Sequence, residues 1–210
     1  MSKLFEFGRK ILNDLISKSV TIRRHACLKR CKVKNGIILL TAAVLFVACS
    51  DSKYENAEDV SELSISFNDP QWDGILVPEI GQCKNCGGGG LSPALKVKNI
   101  PKEADLLIVE FNDKTMPSLS KDGGHGAIRL PISGKGEFVV PAVNEQTFDL
   151  PAGIEMESQH RAPLGNPGVY MAPCGCGSGN KYEAEIMAVK SAPSGPGILV
   201  GRGKINLGRF

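Results

Sequence analysis

The last 162 of the chain's 210 residues carry no basic stripe, the footprint that nucleic-acid binding leaves in a sequence. The whole-chain net charge of +3 conceals this. Residues 1–48 hold ten Lys/Arg against two Asp/Glu, a net of +8, which leaves 15 against 20, a net of −5, for the remainder. Nucleic acid is excluded as a partner on that ground. The same region shows no apolar stripe of helical period with caps, and no internal repeat. The nucleophile elbow Gly-x-Ser-x-Gly is missing too. Ser118 and Ser120 sit in a loop with no fixed relation to His125 or Asp113, so serine hydrolysis has no support and the chain reads as non-enzymatic. The apolar run at residues 36–48 has 13 residues, short of the roughly 20 that span a bilayer as a helix.

What surrounds that run is informative. Lys29, Arg30, Lys32 and Lys34 precede it, and Val47-Ala48-Cys49 ends it. A basic n-region and a short apolar h-region are the layout of a secretory signal, and the leader's positive charge orients it at the inner face of the membrane. Val47-Ala48-Cys49 resembles a bacterial lipobox, in which a small residue precedes a Cys that takes lipid on sulfur and becomes the new N-terminus. Phe46 departs from the aliphatic residue usual there. The expected product is an envelope lipoprotein anchored through Cys49, with Ser50 after it pointing to the outer membrane and the periplasm. A plain secretory signal cut nearby and a short uncleaved anchor are the alternatives. Residues 1–28 receive no function. The domain reading is a leader and signal at 1–48, a polar tether without periodicity at 49–61, and one folded domain at 62–210.

Within that domain the pattern is of short strands broken by Gly and Pro. Residues 63–67 alternate with period two, and residues 106–109, running on to Phe111, form a continuous apolar run of strand length, which predicts a central strand. Further strands are predicted at 127–130, 137–140, 148–150, 182–189 and 204–207. In the stretch 182–189, Tyr182, Ala184, Ile186 and Ala188 share a face from which Glu183 and Glu185 turn away. The class is all-β, mainly antiparallel, with a sandwich or barrel as its architecture. Two of the seven Cys lie in the leader and Cys49 is the lipidation candidate, so Cys83, Cys86, Cys174 and Cys176 remain. An even count in an oxidising compartment reads as disulfides.

Four stretches, in order, carry a resemblance. They are Phe67 with Trp72 to Pro78, and Cys83-Lys84-Asn85-Cys86 with Gly87 to Gly90, Ser92-Pro93 and Pro101. The third runs from Leu106 to Asp113 and Pro117, followed by His125, and the fourth from Gly168 through Tyr170 and Pro173-Cys174 to Asn180 and Tyr182. Together they resemble the phosphatidylethanolamine-binding protein family, in its bacterial, Raf-kinase-inhibitor-like branch. The resemblance spans about residues 65–190 and implies a β-sandwich with few short helices. It also implies a non-enzymatic binding protein with a small pocket at one end for an anionic or phospholipid-head-group-like ligand. It requires no cofactor and points to no particular protein partner. Its wall would be Asp113, His125, Pro173 and Tyr182, with Asn180 where the family has a second His. There are departures. Lys114 and Thr115 interrupt the family's Asp-Pro-Asp motif, Gly126 replaces an aromatic, the segment from His125 to Pro131 is one residue short, and residues 191–197 compress a region that in relatives often holds a helix.

In such a wall a protonated His donates from both ring nitrogens, a buried carboxylate orients it, and a Tyr hydroxyl donates to a phosphoryl oxygen. Backbone N–H groups of the glycine-rich loop 175–179 can add an anion-binding concavity. With Asn180 in place of a His the site carries one positive charge fewer, so weaker phosphate binding, or a different small ligand, is expected. Each residue has a plainer alternative: Asp113 bonding its own turn, His125 solvated, Tyr182 a core or rim aromatic, His160 on the surface. Relatives often have one Cys near each of two loops, bridged across the pocket mouth, whereas this chain has two in each. A Cys-x-Cys bridge closes a tight ring, which favours cross-loop pairing, either 83–174 with 86–176 or 83–176 with 86–174. The rival is a metal-binding or thiol-redox protein built on the same four Cys, for Cys-x-x-Cys plus Cys-x-Cys can wrap Zn²⁺ or Cu⁺.

Overall fold

The computed structural model describes residues 53–133 and 136–210, all within the unit Ser50–Phe210. The leader and Cys49 lie outside the described residues. Nine strands are formed among these: β1 (Tyr54–Glu62), β2 (Ser64–Phe67), β3 (Leu95–Lys98), β4 (Leu106–Asp113), β5 (Ala127–Pro131), β6 (Glu137–Val140), β7 (Glu155–Ser158), β8 (Lys181–Lys190) and β9 (Gly197–Arg209). Six make one sheet in the order β1-β9-β8-β4-β5-β7, and three make a second in the order β2-β3-β6. Every pairing is antiparallel except that of β1 with β9. Three short 3-10 turns, Glu79–Gly81, Lys84–Cys86 and Pro117–Leu119, are the helical content of the described residues.

The apolar alternation of the strands builds the core. Leu107, Val109 and Phe111 of β4, Ile128 and Leu130 of β5, and Ala184, Ile186 and Ala188 of β8 join Leu95 and Val97 of β3 and Val140 of β6 in one cluster. The other face of β4 and β8 is covered as well: Ile108, Met187, Val189 and Leu199 form a second, smaller cluster. With both faces covered, β4 reads as an unbroken apolar run, and it lies inside the sheet between β8 and β5. Glu183 and Glu185 turn away from the main core, as predicted. They meet Lys204 at 3.6 and 3.2 Å and, for Glu185, Arg202 at 3.0 Å.

Three predictions require correction. Residues 54–61, expected to be tether, belong to β1, and the folded part begins at Tyr54 rather than near Glu62. This strand runs parallel to β9 at the sheet edge with most side chains exposed; its backbone pairing holds it, with Ala57 and Tyr54 packed against the two core clusters. Residues 148–150 form no strand, and Phe148 is 56% exposed. The strand predicted at 204–207 extends over all 13 residues of β9. Its glycines hide it from a propensity reading. Gly203 is required by the approach of the segment ahead of β2, because a Cβ there would lie 2.7 Å from the Leu63 carbonyl oxygen.

Candidate functional site

The register of the large sheet assembles the site. Asp113 ends β4 directly opposite Tyr182 near the start of β8, and His125 stands two residues before β5. The His125 backbone N–H donates to the Phe111 carbonyl at 2.8 Å, and its carbonyl accepts from Met171 N–H at 2.9 Å. That second bond ties His125 to the segment leading into Pro173 and Cys174. Gly126, where the family resemblance implies an aromatic, follows from the same packing. Its φ is +102°, and a Cβ there would sit 1.8 Å from the Val169 carbonyl oxygen.

His125 is buried, 4% exposed, which contradicts the solvated alternative. Its Nδ1 lies 2.8 Å from the Met171 carbonyl oxygen. A carbonyl only accepts, so Nδ1 carries the proton, and Nε2 is the atom free to take up another. Burial lowers the His125 pKa below 6.5, against the raising effects of the Met171 carbonyl and the Asp113 charge. The ring edge meets Tyr182 with centroids 5.4 Å apart.

Asp113 does not orient the His, as had been expected. Its Oδ1 accepts the N–H groups of Thr115, at 2.8 Å, and Met116, at 3.3 Å, closing its own turn. Its Oδ2 accepts from the Asn180 amide at 2.7 Å. Asn180 is thus the carboxylate's partner across the site and also bonds Ser178 Oγ at 3.0 Å. The Tyr182 hydroxyl oxygen accepts from Cys174 N–H at 3.1 Å, leaving its proton to donate elsewhere. Burial, with the Asp113 charge second, pushes the Tyr182 pKa up to about 12, so the proton stays on. Tyr182 is also a core residue, packed in the main cluster. Pro173 is buried, and its carbonyl accepts from Cys83 N–H at 2.9 Å.

The structure therefore brings Asp113, His125, Asn180 and Tyr182 together, but it sinks three of them below the surface. An open concavity of about 390 Å³ borders loop 175–180, lined by Leu76, Val77, Gln82, Gly177, Gly179, Arg209 and Phe210. None of the predicted wall residues lines it. Reasoning from sequence passed over Arg209 there, and Glu145 at the heart of the loops. Glu145 is 2% exposed, and its two oxygens accept from Lys84 N–H at 2.7 Å and Ala172 N–H at 3.2 Å. It explains Gly90, where a Cβ would fall 2.7 Å from the Glu145 Cγ. His160, expected on the surface, is 8% exposed and bonds the Asn166 carbonyl at 3.0 Å.

The four cysteines pair across the loops as Cys83–Cys174 and Cys86–Cys176, with Cα separations of 5.1 and 5.4 Å. This is the first of the two predicted pairings. Each link closes about 90 residues, and in the chain-entropy model one such link stabilises by about 4–5 kcal/mol.

The fold is similar to that of a known structure. E. coli YbcL, described as a member of the mammalian phosphatidylethanolamine-binding protein family, superposes with a TM-score of 0.50 at 18% identity, over 71% of this chain and 98% of its own. The fold is that of the phosphatidylethanolamine-binding proteins. A Chlamydia trachomatis homologue of these proteins is similar over 71% of this chain and 97% of its own, at 17% identity and a TM-score of 0.44. No protein-family model matches the chain, and no curated protein does. On this fold His125, Tyr182 and Asp113 occupy one end of the sandwich, where strand ends and loops meet.

Proposed function

We propose that the chain is an envelope lipoprotein of the phosphatidylethanolamine-binding protein family that holds a small phosphoryl-type anion without transforming it. The observation that carries this reading is the state of His125. Its Nδ1 is spent on the Met171 carbonyl, and its Nε2 makes no hydrogen bond among the described residues. Beside it stands a Tyr182 hydroxyl with a proton to donate. A neutral, buried imidazole becomes a cation when an anion arrives to share the charge, so anion binding and proton uptake are coupled. The Asp113 charge is held by two backbone N–H groups and the Asn180 amide, which lessens its repulsion of the incoming anion.

The extent of burial favours a ligand of phosphate or head-group size over a whole lipid. The anchor, the periplasmic location and the absence of catalysis belong to the same proposal. They are supported by the lipobox-like Val47-Ala48-Cys49 and by the missing nucleophile elbow.

Calorimetric titration with phosphate and phosphoethanolamine between pH 5 and 8 tests the site. Affinity should rise as pH falls, because the cationic His125 is the binding form. His125→Ala should lose most binding at every pH. Asn180→His, which adds a donor able to carry charge, should bind more tightly. Equal affinities for all three proteins would remove the site from this end of the sandwich.

A further inference from the structure

The two disulfides touch each other. Sγ of Cys83, in one, lies 3.3 Å from Sγ of Cys86, in the other, and Sγ of Cys86 lies 3.8 Å from Sγ of Cys174. Sγ atoms of Cys83, Cys86 and Cys174 all fall within 4.8 Å of one another. The 3-10 turn Lys84–Cys86 produces this proximity, since its first bond, Cys86 N–H to the Cys83 carbonyl at 3.0 Å, folds the Cys-x-x-Cys segment back on itself. Exposure is graded along the cluster: Cys83 is fully buried, Cys86 and Cys174 are half-buried, and Cys176 is exposed. Cys176 also holds a φ of +46°, a left-handed conformation unfavourable for a residue with a side chain. One bond is therefore open to an external thiol at a strained residue, and the other is sheltered behind it.

We propose that the four cysteines form a thiol–disulfide exchange unit that an external dithiol can switch from a clamped to an unclamped state. The dithiol's thiolate attacks the exposed Cys176 sulfur, the Cys86–Cys176 bond breaks, and Cys86 leaves with the electron pair. The second thiol of the dithiol then displaces Cys176 and departs as a disulfide. Two electrons and two protons have passed to the protein. Next, the Cys86 thiolate attacks Cys83, 3.3 Å away. The Cys83–Cys174 bond breaks, Cys174 leaves as thiolate, and it takes up the proton that Cys86 gave up to solvent.

This second step consumes no reductant. It joins sulfurs only 3.3 Å apart, and once Cys86 is released from Cys176 its side chain is free to rotate into line with the Cys83–Cys174 bond. Its product is a Cys83–Cys86 disulfide within one loop, with Cys174 and Cys176 free. Both covalent links between residues 79–90 and 173–180 are then gone. Attack on Cys174 instead would keep a cross-loop link, but that sulfur is farther away.

The test is disulfide mapping of the full chain after one molar equivalent of dithiothreitol, with free thiols alkylated before digestion. The expected product carries a Cys83–Cys86 disulfide within one peptide and alkyl groups on Cys174 and Cys176. Retention of Cys83–Cys174 with Cys86 and Cys176 alkylated would overturn the proposal. So would formation of Cys86–Cys174, loss of both bonds together, or no reaction at all. Cys176→Ser gives the same test without reductant, because it leaves Cys86 free at the outset. Cys83–Cys86 should appear in that variant, and a lone Cys83–Cys174 bond with a free Cys86 would overturn the proposal independently of any ligand binding.

Discussion

His125 is held from three sides: its N–H by Phe111, its carbonyl by Met171 N–H, and its Nδ1 by the Met171 carbonyl. Because burial lowers its pKa, the folded chain binds a proton there less readily than the unfolded chain does. Stability from this group is complete above about 6.5, the unfolded value, and is lost as pH falls from there through the lowered folded value. In the proposed binding role, a bound anion would offset that loss. Glu145 makes the opposite lesson about legibility. Asp113, His125 and Tyr182 stand in motifs, but Glu145 sits in an aperiodic loop, and its value depends on two N–H groups 61 and 27 residues away. Glu145→Ala leaves both donors without acceptors and is expected to cost about 2–4 kcal/mol in reversible denaturation with the disulfides intact. Glu145→Gln, which keeps one acceptor, should cost less. An unchanged midpoint for the Ala variant would show that the carboxylate does not tie the loops together.

Among the elements, β4 is readable as an unbroken apolar run, β8 by the alternation of its first half, and β5 and β6 as short apolar-rich segments. β1 is not, since its side chains neither alternate nor hide. It is held by parallel pairing to β9 and by the Tyr54 hydroxyl on Glu157 at 2.8 Å. β7 fully buries no side chain and so offers no apolar face to read, whereas β3, in which Leu95 and Val97 alternate with lysines, was passed over. β1 leaves only residues 50–53 between Cys49 and the sandwich, so an anchored domain would be held close to its membrane. Cys49→Ser is expected to move the protein from the membrane fraction to the soluble one. Retention in the membrane with the leader intact would make residues 36–48 an uncleaved anchor.

On the scale of the whole molecule, the part of the chain after residue 48 carries a net charge of −5, which opposes anion binding at long range. Any anion site must therefore be local, and its charge must come from a group that can become positive when needed. The proposed site is of that kind, at the end where strand register and the loop ahead of β5 bring His125 and Tyr182 together and two disulfides tie the neighbouring loops. The sequence motifs made this end recognisable. They could not show how deeply it is buried, which depends on loops some 90 residues apart. Nuclear magnetic resonance of the His125 ring, titrated by pH with and without phosphate, tests the central claim most directly. The Nδ1–H tautomer and a pKa below 6.5 are expected in the free protein, with the pKa moving upward once phosphate is added. A His125 pKa that phosphate leaves unmoved would contradict that claim.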